Sequence, residues 1–201
     1  ASRLLVRHGL SVYASDGGAG SALADQAAAL GAEGVQVEVG RHDLARIGRA
    51  AAAVVSPGVP PEAAALRAAR DAGVPVLAEA ELGLRCLGGS RVLAITGTNG
   101  KTTTTALTAH LLVAGGLKAV SAGNIGRPLS AVAPDDDPPD WLAVELSSFQ
   151  LHDMPSLSPT AGVLTNLSPD HLDRYPTLAD YYADKAQLFR NATDASVWIT
   201  N

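Results

Sequence analysis

The feature that most constrains the fold is a regular alternation of short hydrophobic segments with alanine-rich segments of helical pattern. The stretch at 10–16 is typical of a strand, and the stretch at 21–34 is typical of a helix that ends in glycine. The same alternation continues to a last strand at 196–200. Strands that alternate with helices indicate a parallel sheet with helices on its faces. The sequence therefore predicts an α/β fold with a mainly parallel sheet.

The alternation is interrupted near 86–90, where the sequence reads CLGGS. We therefore expect two α/β domains, one over residues 1–88 and one over residues 89–201. The chain begins with Ala1, its only methionine is Met154, and its last residues read as a strand. We expect it to be a fragment of a longer protein.

Composition excludes several classes of protein. The net charge of −5 gives no basic surface for nucleic acid or for an anionic membrane. No apolar run approaches the roughly 20 residues that a membrane helix needs. The single cysteine, Cys86, excludes an internal disulfide and is best explained as a small buried residue. A reducing, cytoplasmic location fits this composition.

The strongest local signal is the segment VLAITGTNGKTTTT at 92–105, in which a hydrophobic strand runs into a glycine loop that opens a helix. Glycines let backbone N–H groups converge on an anion, and the helix N-terminus adds its dipole. Lys101 would then reach the terminal phosphates, and the Thr102 hydroxyl would bind Mg²⁺. The full P-loop pattern has glycine where Ile95 stands, so this loop is a shortened form. A plain glycine turn would not explain Lys-Thr at the helix start.

Polar side chains follow several other predicted strands. Glu145 ends the strand at 141–146, and a carboxylate beside a phosphate loop could hold Mg²⁺ or simply face solvent. The segment GNIG at 123–126 could be a ligand-binding loop or only a turn. His171, between two aspartates, could bind a metal or move protons, although in isolation a polar turn before a capped helix is the simpler interpretation.

Lys185 interrupts an apolar helical face. The residues on that face recur at helical spacing, and the other members are apolar or aromatic: Leu178, Tyr181, Tyr182, Leu188 and Phe189. On this helix alone, the favoured interpretation is a lysine that buries its stem and keeps its ammonium group in water.

Two weaker signals lie in the first predicted domain. Asp16 ends a strand, where Rossmann-like folds hold a ribose or a base, and Ser56 opens a Ser-Pro-Gly turn at another strand end. No preceding strand with a glycine fingerprint supports the assignment of Asp16.

Taken together, these residues resemble the Mur ligases, the ATP-dependent amide ligases of peptidoglycan precursor assembly, over essentially the whole chain. The loop at 97–102 is similar to the family's own shortened phosphate loop. Other segments are most similar to the branch of the family that adds D-glutamate, and these are ELSSFQL (145–151), GNIG (123–126), DHLDRY (170–175) and the SPG turn followed by VPVLAEAEL (74–82). The resemblance implies a Rossmann-like UDP-binding domain followed by an incomplete P-loop-type ATPase domain. The third domain of such enzymes is absent, so we expect this chain alone to be inactive.

The resemblance also implies the reaction. ATP phosphorylates the carboxylate of UDP-N-acetylmuramoyl-L-alanine, and the amine of D-glutamate then displaces phosphate. The implied ATP-binding residues are Gly97, Thr98, Asn99, Gly100, Lys101, Thr102 and Thr103. The implied metal ligands are Thr102 and Glu145 for one Mg²⁺ and His171 and Lys185 for a second. Lys101, His171 and Lys185 are the implied catalytic residues, and Lys185 is expected to be carbamylated.

The remaining implied contacts concern the UDP-linked substrate. Asn124 and Ser147 would contact its muramoyl part, and Asp16 and Ser56 lie where the first domain of these enzymes binds UDP.

Two kinds of alternative stay open. One is another ligase of the superfamily, such as the diaminopimelate- or lysine-adding ligase or folylpolyglutamate synthetase, against which Ser-Ser-Phe-Gln after Glu145 argues. The other is a non-catalytic nucleotide-binding module or a P-loop kinase. A kinase would need a separate acceptor lid and would leave Lys185 unexplained.

Overall fold

The structure is a computed structural model that describes residues 1–134, 136–171 and 173–201. Asp135 of the predicted loop at 134–140 and Leu172 of the segment 170–175 lie outside the described residues. The elements are, in chain order, α1 (Ser2–Arg7), β1 (Tyr13–Asp16), α2 (Ser21–Ala32), β2 (Gln36–Val39), α3 (Leu44–Ile47), β3 (Ala53–Val55), α4 (Ala64–Asp71), β4 (Val76–Ala78), α5 (Glu79–Cys86), β5 (Arg91–Thr96), α6 (Lys101–Ala114), β6 (Ala119–Gly123), α7 (Leu129–Val132), β7 (Trp141–Glu145), α8 (Ser148–His152), β8 (Ala161–Leu164), α9 (Leu178–Ala186), a 3-10 turn (Gln187–Phe189) and β9 (Val197–Thr200).

The chain divides into two compact units. The first comprises Ala1–Val54 and Val59–Val76, and the second comprises Val55–Gly58 and Leu77–Asn201. Helix α5 therefore belongs to the second unit, whereas the sequence pattern placed the boundary at residue 88.

Packing explains why α5 groups with the second unit. The helix is buried from Glu79 to Gly83 and packs against α7. Gly83 lies so close to Leu129 and to the backbone of Ser130 that a Cβ atom at position 83 could not fit without a shift. A glycine inside this helix thus allows the two helix backbones to approach each other.

The first unit has a small α/β arrangement. Strands β1 and β2 pair in parallel, with Tyr13 opposite Gln36. Strands β3 and β4 form a separate two-stranded sheet, and only the residues of β3 up to Val54 and Val76 of β4 belong to this unit. Its buried apolar side chains are Leu4, Val12, Val35, Leu66, Ala69 and Val74. Among the described residues, the predicted Rossmann-like layer thus consists of two separate pairs of strands.

The second unit is built on a five-stranded sheet in the order β6-β7-β5-β8-β9. Every strand pair in it is parallel, which confirms the predicted mainly parallel sheet. The register sets Glu145, at the end of β7, beside Ile95 of β5 and Gly123 of β6. Three strand ends therefore meet at the same edge of the sheet.

Both faces of this sheet are covered, because successive residues of a strand point to opposite faces. Ile95 and Ala143 pack with Ala109 of α6 on one face. Ala94 and Val144 belong to the larger core on the other face, together with buried residues of α5, α7, α8 and the 3-10 turn. Strands buried on both sides explain the continuous hydrophobic runs in the sequence.

None of the helices in the described part of the chain has the length and apolar character needed to span a bilayer.

Candidate active site

The glycine loop connects the central strand β5 to helix α6. Its backbone is unusual at two positions, because Gly97 has φ of 144° and Gly100 has φ of 81°. A side chain at position 97 would also collide with the hydroxyl of Thr165 and crowd the backbone of Asn166. Glycine is therefore required at position 97 both by backbone conformation and by close approach of the segment after β8. Gly100 is the N-cap of α6, which begins at Lys101.

Lys101 folds back over this loop. Its Nζ atom donates a hydrogen bond to the carbonyl oxygen of Thr98 at 2.8 Å. The ammonium group thus lies on the loop at the carboxyl edge of the sheet, where ligands bind in open α/β folds.

Glu145 is the buried acid of the site. The residue is 2% exposed, and its two carboxylate oxygens accept hydrogen bonds from different side chains. The Thr102 hydroxyl donates to Oε2 at 2.9 Å, and the Asn124 amide donates to Oε1 at 3.1 Å. The Asn124 backbone N–H donates to the Glu145 carbonyl oxygen at 2.9 Å. The structure therefore brings together three of the predicted site residues.

This arrangement fits a divalent cation. Both donors to Glu145 are neutral, and Glu145 forms no ion pair with any of the described residues. A carboxylate next to a threonine hydroxyl supplies the oxygen ligands that Mg²⁺ prefers. In the part of the chain that the structure describes, there is no cluster of three or more His, Cys, Asp or Glu residues that could hold a metal by protein atoms alone. Mg²⁺ bound through one or two protein ligands plus phosphate oxygens is consistent with that finding.

Lys185 is buried, so the interpretation that it keeps its ammonium group in water is wrong. The residue is 3% exposed, and its Nζ atom donates to the carbonyl oxygen of Gly97 at 2.7 Å. The same atom lies 4.7 Å from the centre of the Tyr181 ring. Burial, together with the nearby charge of Lys101, lowers the pKa of Lys185 to about 8, although Asp170 acts in the opposite direction.

His171 also lies beside the Tyr181 ring. Its ring is 6.2 Å from the Tyr181 ring and 5.3 Å from the Phe149 ring, in both cases edge-on. Its backbone has φ of 53°, which is uncommon outside glycine, and its N–H donates to the Asp170 side chain at 2.9 Å. His171 and Lys185 therefore both contact Tyr181, although they are distant in sequence.

Ser147 caps the N-terminus of helix α8. Its hydroxyl accepts from the Gln150 N–H, and the Gln150 side chain accepts from the Ser147 N–H, so this pair forms a capping box at the start of α8. Asp16 ends β1 in the first unit and accepts a hydrogen bond from the Gly18 N–H at 2.7 Å. Ser56 directly follows β3. Substrate contacts for these residues stay predictions.

Two residues of the site were missed by the sequence reasoning. Thr165 and Asn166 directly follow β8 and hydrogen-bond to Asn99 in the glycine loop. The available signal was their position, because polar residues at the carboxyl end of a parallel strand lie at the ligand-binding edge.

The fold and the loop together define an α/β protein with a P-loop-type fold. A family model described as "Mur ligase middle domain" matches residues 95–201. The chain belongs to the Mur ligase family.

Three curated relatives all have the same name, which states one activity. UDP-N-acetylmuramoylalanine–D-glutamate ligases are 44% identical over 204 residues in Frankia casuarinae, covering 98% of this chain and 43% of the relative. The ligase of Mycolicibacterium smegmatis is 49% identical over 171 residues, which cover 82% of this chain and 34% of the relative. The ligase of Anaeromyxobacter dehalogenans is 43% identical over 201 residues, which cover 100% of this chain and 43% of the relative. The chain thus spans less than half the length of these relatives.

Solved structures support the fold. A UDP-N-acetylmuramate:L-alanyl-gamma-D-glutamyl-meso-diaminopimelate ligase from Neisseria meningitides matches with a TM-score of 0.60 and 22% identity, covering 100% of this chain and 67% of that one. A UDP-N-acetylmuramate-alanine ligase from Thermotoga maritima matches with a TM-score of 0.53 and 22% identity, covering 98% and 44%. The predicted α/β fold class is confirmed.

Proposed function

We propose that the full-length protein is an ATP-dependent ligase that adds D-glutamate to UDP-N-acetylmuramoyl-L-alanine. The observation that carries this proposal is the contact of the Thr102 hydroxyl with the buried Glu145 carboxylate, directly beside the glycine loop. The names of the relatives support D-glutamate as the amino acid that is added. A location in the cytoplasm, where ATP and the UDP-linked precursor are available, belongs to the same proposal.

The reaction proceeds in two displacements. A carboxylate oxygen of the alanine attacks the γ-phosphorus of ATP, the bond to the β–γ bridging oxygen breaks, and ADP leaves. The amine of D-glutamate then attacks the carbonyl carbon of the acyl phosphate, the C–O bond to phosphate breaks, and the amine loses a proton. Both steps bring anions together, so positive charge and oriented N–H groups are needed to stabilise the developing charge.

The loop and the strand ends supply these groups. The backbone N–H groups of residues 100–103, among them that of Thr103 in the first turn of α6, face the phosphates. The Lys101 ammonium group pairs with the transferred phosphoryl group. Thr102 and Glu145 would hold Mg²⁺, which when bound offsets phosphate charge. Asn124 positions the Glu145 carboxylate through its amide hydrogen bond.

Lys185 and His171 form the second part of the proposed site. Burial favours the neutral amine of Lys185, and a neutral amine reacts with CO₂ to form a carbamate and release a proton. A carbamate would replace a cation by an oxygen ligand and so could hold a second Mg²⁺ together with His171. We assign the UDP-muramoyl substrate to Asn124 and Ser147 in the second unit and to Asp16 and Ser56.

Replacement of Lys101 by alanine in the full-length enzyme tests the phosphate-loop assignment. We expect kcat to fall by about a hundredfold or more, because one charge on the transferring phosphoryl group is lost. The matched control is Lys118→Ala, which removes an exposed lysine that pairs with Asp137 in the same unit. Its turnover should stay at the wild-type level. Normal turnover of Lys101→Ala would refute the assignment.

The amino-acid substrate is tested by competition. Full-length enzyme with ATP and UDP-N-acetylmuramoyl-L-alanine should release phosphate with D-glutamate and not with diaminopimelate or lysine, and it should not extend folates. Faster turnover with any of these alternatives would move the protein to another branch of the family. ATP binding without any phosphate release would support a non-catalytic module.

A further inference from the structure

The phosphate loop is held from one side by the segment that follows β8. Asn166 uses its whole carboxamide for this purpose: Oδ1 accepts from the Asn99 N–H at 3.0 Å, and Nδ2 donates to the Asn99 carbonyl oxygen at 3.0 Å. The Asn166 carbonyl oxygen also accepts from the Thr98 N–H at 3.0 Å. A single residue thus satisfies three polar groups of the loop.

Two neighbours complete this contact. The Thr165 hydroxyl donates to the Asn99 carbonyl oxygen at 2.7 Å, and the Ser168 N–H donates to the Thr98 hydroxyl at 3.0 Å. We call Thr165, Asn166 and Ser168 the clasp. None of the three was assigned a role by the sequence, and all three follow the end of β8.

The clasp decides which N–H groups of the loop remain for a ligand. Those of Thr98 and Asn99 are taken up by Asn166. The N–H groups that follow have no partner among the described residues, and they are those of Gly100, Lys101, Thr102 and Thr103. They are the unpaired donors of the first turn of α6, where a helix attracts anions.

We propose that Asn166 is a positioning residue that fixes the glycine loop so that the N–H groups of residues 100–103 converge on the nucleotide phosphates. The proposal rests on the proposed nucleotide binding of this loop. A carboxamide is required because Asn99 presents one donor and one acceptor, and only a group with one of each can pair with both. An aspartate of the same shape would set a carboxylate oxygen against the Asn99 carbonyl oxygen.

The test uses Asn166→Asp in the full-length enzyme. We expect the Kd for ADP and the KM for ATP to rise by about tenfold to a hundredfold, as a lost hydrogen bond and an unpaired carbonyl would produce. The Kd for UDP-N-acetylmuramoyl-L-alanine should stay within about twofold of wild type, because that substrate does not use the loop's N–H groups. Thr165→Val keeps the side-chain shape and removes the hydroxyl that donates to the carbonyl oxygens of Asn99 and, at 3.3 Å, Thr96. It should show the same selectivity with a smaller effect.

Asn191→Asp is the matched control. Asn191 is also half-buried in the second unit, and its Nδ2 atom donates to the carbonyl oxygens of Pro155 and Leu157 at 3.0 and 2.9 Å. This variant loses comparable hydrogen bonds away from the loop, so it should lower Tm while its affinity for ADP stays at the wild-type value.

The outcomes separate the two proposals. Wild-type affinity of Asn166→Asp for ADP, combined with weak binding by Lys101→Ala, would overturn the role of the clasp alone. A parallel loss of affinity for ADP and for the UDP-linked substrate, together with a lower Tm, would also overturn it, since a merely structural role predicts that result. Equal ADP binding by wild type and Lys101→Ala would instead refute the proposed function.

Discussion

Replacement of Lys185 by methionine should change how the stability of the second unit depends on pH. Lysine is normally protonated in the unfolded chain with a pKa near 10.5, whereas burial lowers the pKa of Lys185 to about 8 in the folded state. Between these two values the unfolded state binds more protons than the folded state. The free energy of unfolding must therefore rise with pH across this window and be lowest below it.

The size of the effect follows from the two pKa values. For a group with a pKa of about 8 when folded and 10.5 when unfolded, the free energy of unfolding rises by about 2 kcal/mol between about pH 7 and about pH 9.5. Methionine has a similar length and does not titrate, so this rise is absent in Lys185→Met. The variant also loses the hydrogen bond to the Gly97 carbonyl oxygen, but that loss is a constant offset that does not depend on this titration.

Urea unfolding of this chain in CO₂-free buffer, at both pH values, measures the difference. Tryptophan fluorescence reports on the correct unit, since Trp141 and Trp198 both lie in the sheet of the second unit. Other titrating groups are shared by wild type and variant and cancel in the comparison. Lys118→Met, at an exposed lysine, should keep the wild-type slope. Equal slopes for wild type and Lys185→Met would refute the argument that the ammonium group is held in a desolvated position.

Three further changes have defined outcomes. Gly97→Ala should destabilise the second unit by about 3 kcal/mol in the same unfolding assay. The Thr165 hydroxyl occupies the space of the new Cβ atom, and the backbone φ at position 97 is unfavourable for alanine. An unchanged unfolding curve would contradict this prediction. In the full-length enzyme, Thr102→Val should reduce kcat by about a hundredfold, because it removes the hydroxyl oxygen next to Glu145. Thr102→Ser keeps that oxygen, so its kcat should stay within about tenfold of wild type. Similar rates for the two variants in a Mg²⁺ titration would count against a metal at this position. Lys185→Ala should be nearly inactive and partly restored by a short carboxylic acid in solution, and a modest loss without rescue would exclude a carboxylate role for the modified side chain.

The strands of the second unit could be predicted from sequence because each is buried on both faces. Such burial produces continuous hydrophobic runs, and the runs at 91–96 and 141–146 correspond to β5 and β7. The glycine loop could be predicted as well, since the residue types at its positions reflect local backbone geometry. These features depend on short-range properties of the chain.

Helices α5 and α8 were missed for different reasons. Helix α5 begins directly after β4 without a turn, and the sequence therefore offers no loop signal at Glu79. Helix α8 is only five residues long, but Ser147 and Gln150 have the spacing of a capping box. The capping-box spacing could therefore have predicted this helix, but Ser147 was assigned to substrate binding instead.

The order of the strands could not be predicted from the alternation, and the missed site residues depend on it. Asn166 reaches the loop only because β8 pairs directly with β5, although β6 and β7 lie between them in sequence. The partner of a polar side chain at a strand end is set by which strand lies beside it. Hydrogen bonds that span more than 60 residues, such as Asn166 to Asn99, are therefore properties of the topology rather than of any local pattern.

Lys185 shows how one residue can look conventional in sequence and not in structure. A lysine in an apolar helical face normally extends to water, because burial of an ammonium group is costly. Here the cost is offset by the Gly97 carbonyl oxygen and the face of the Tyr181 ring, so the side chain stays inside and links α9 to the phosphate loop. The proposed carbamate is compatible with this position, since a carbamate nitrogen keeps one N–H that can still donate to Gly97. The added carboxylate would then extend beyond that nitrogen, so the same contact would hold the side chain in place before and after modification.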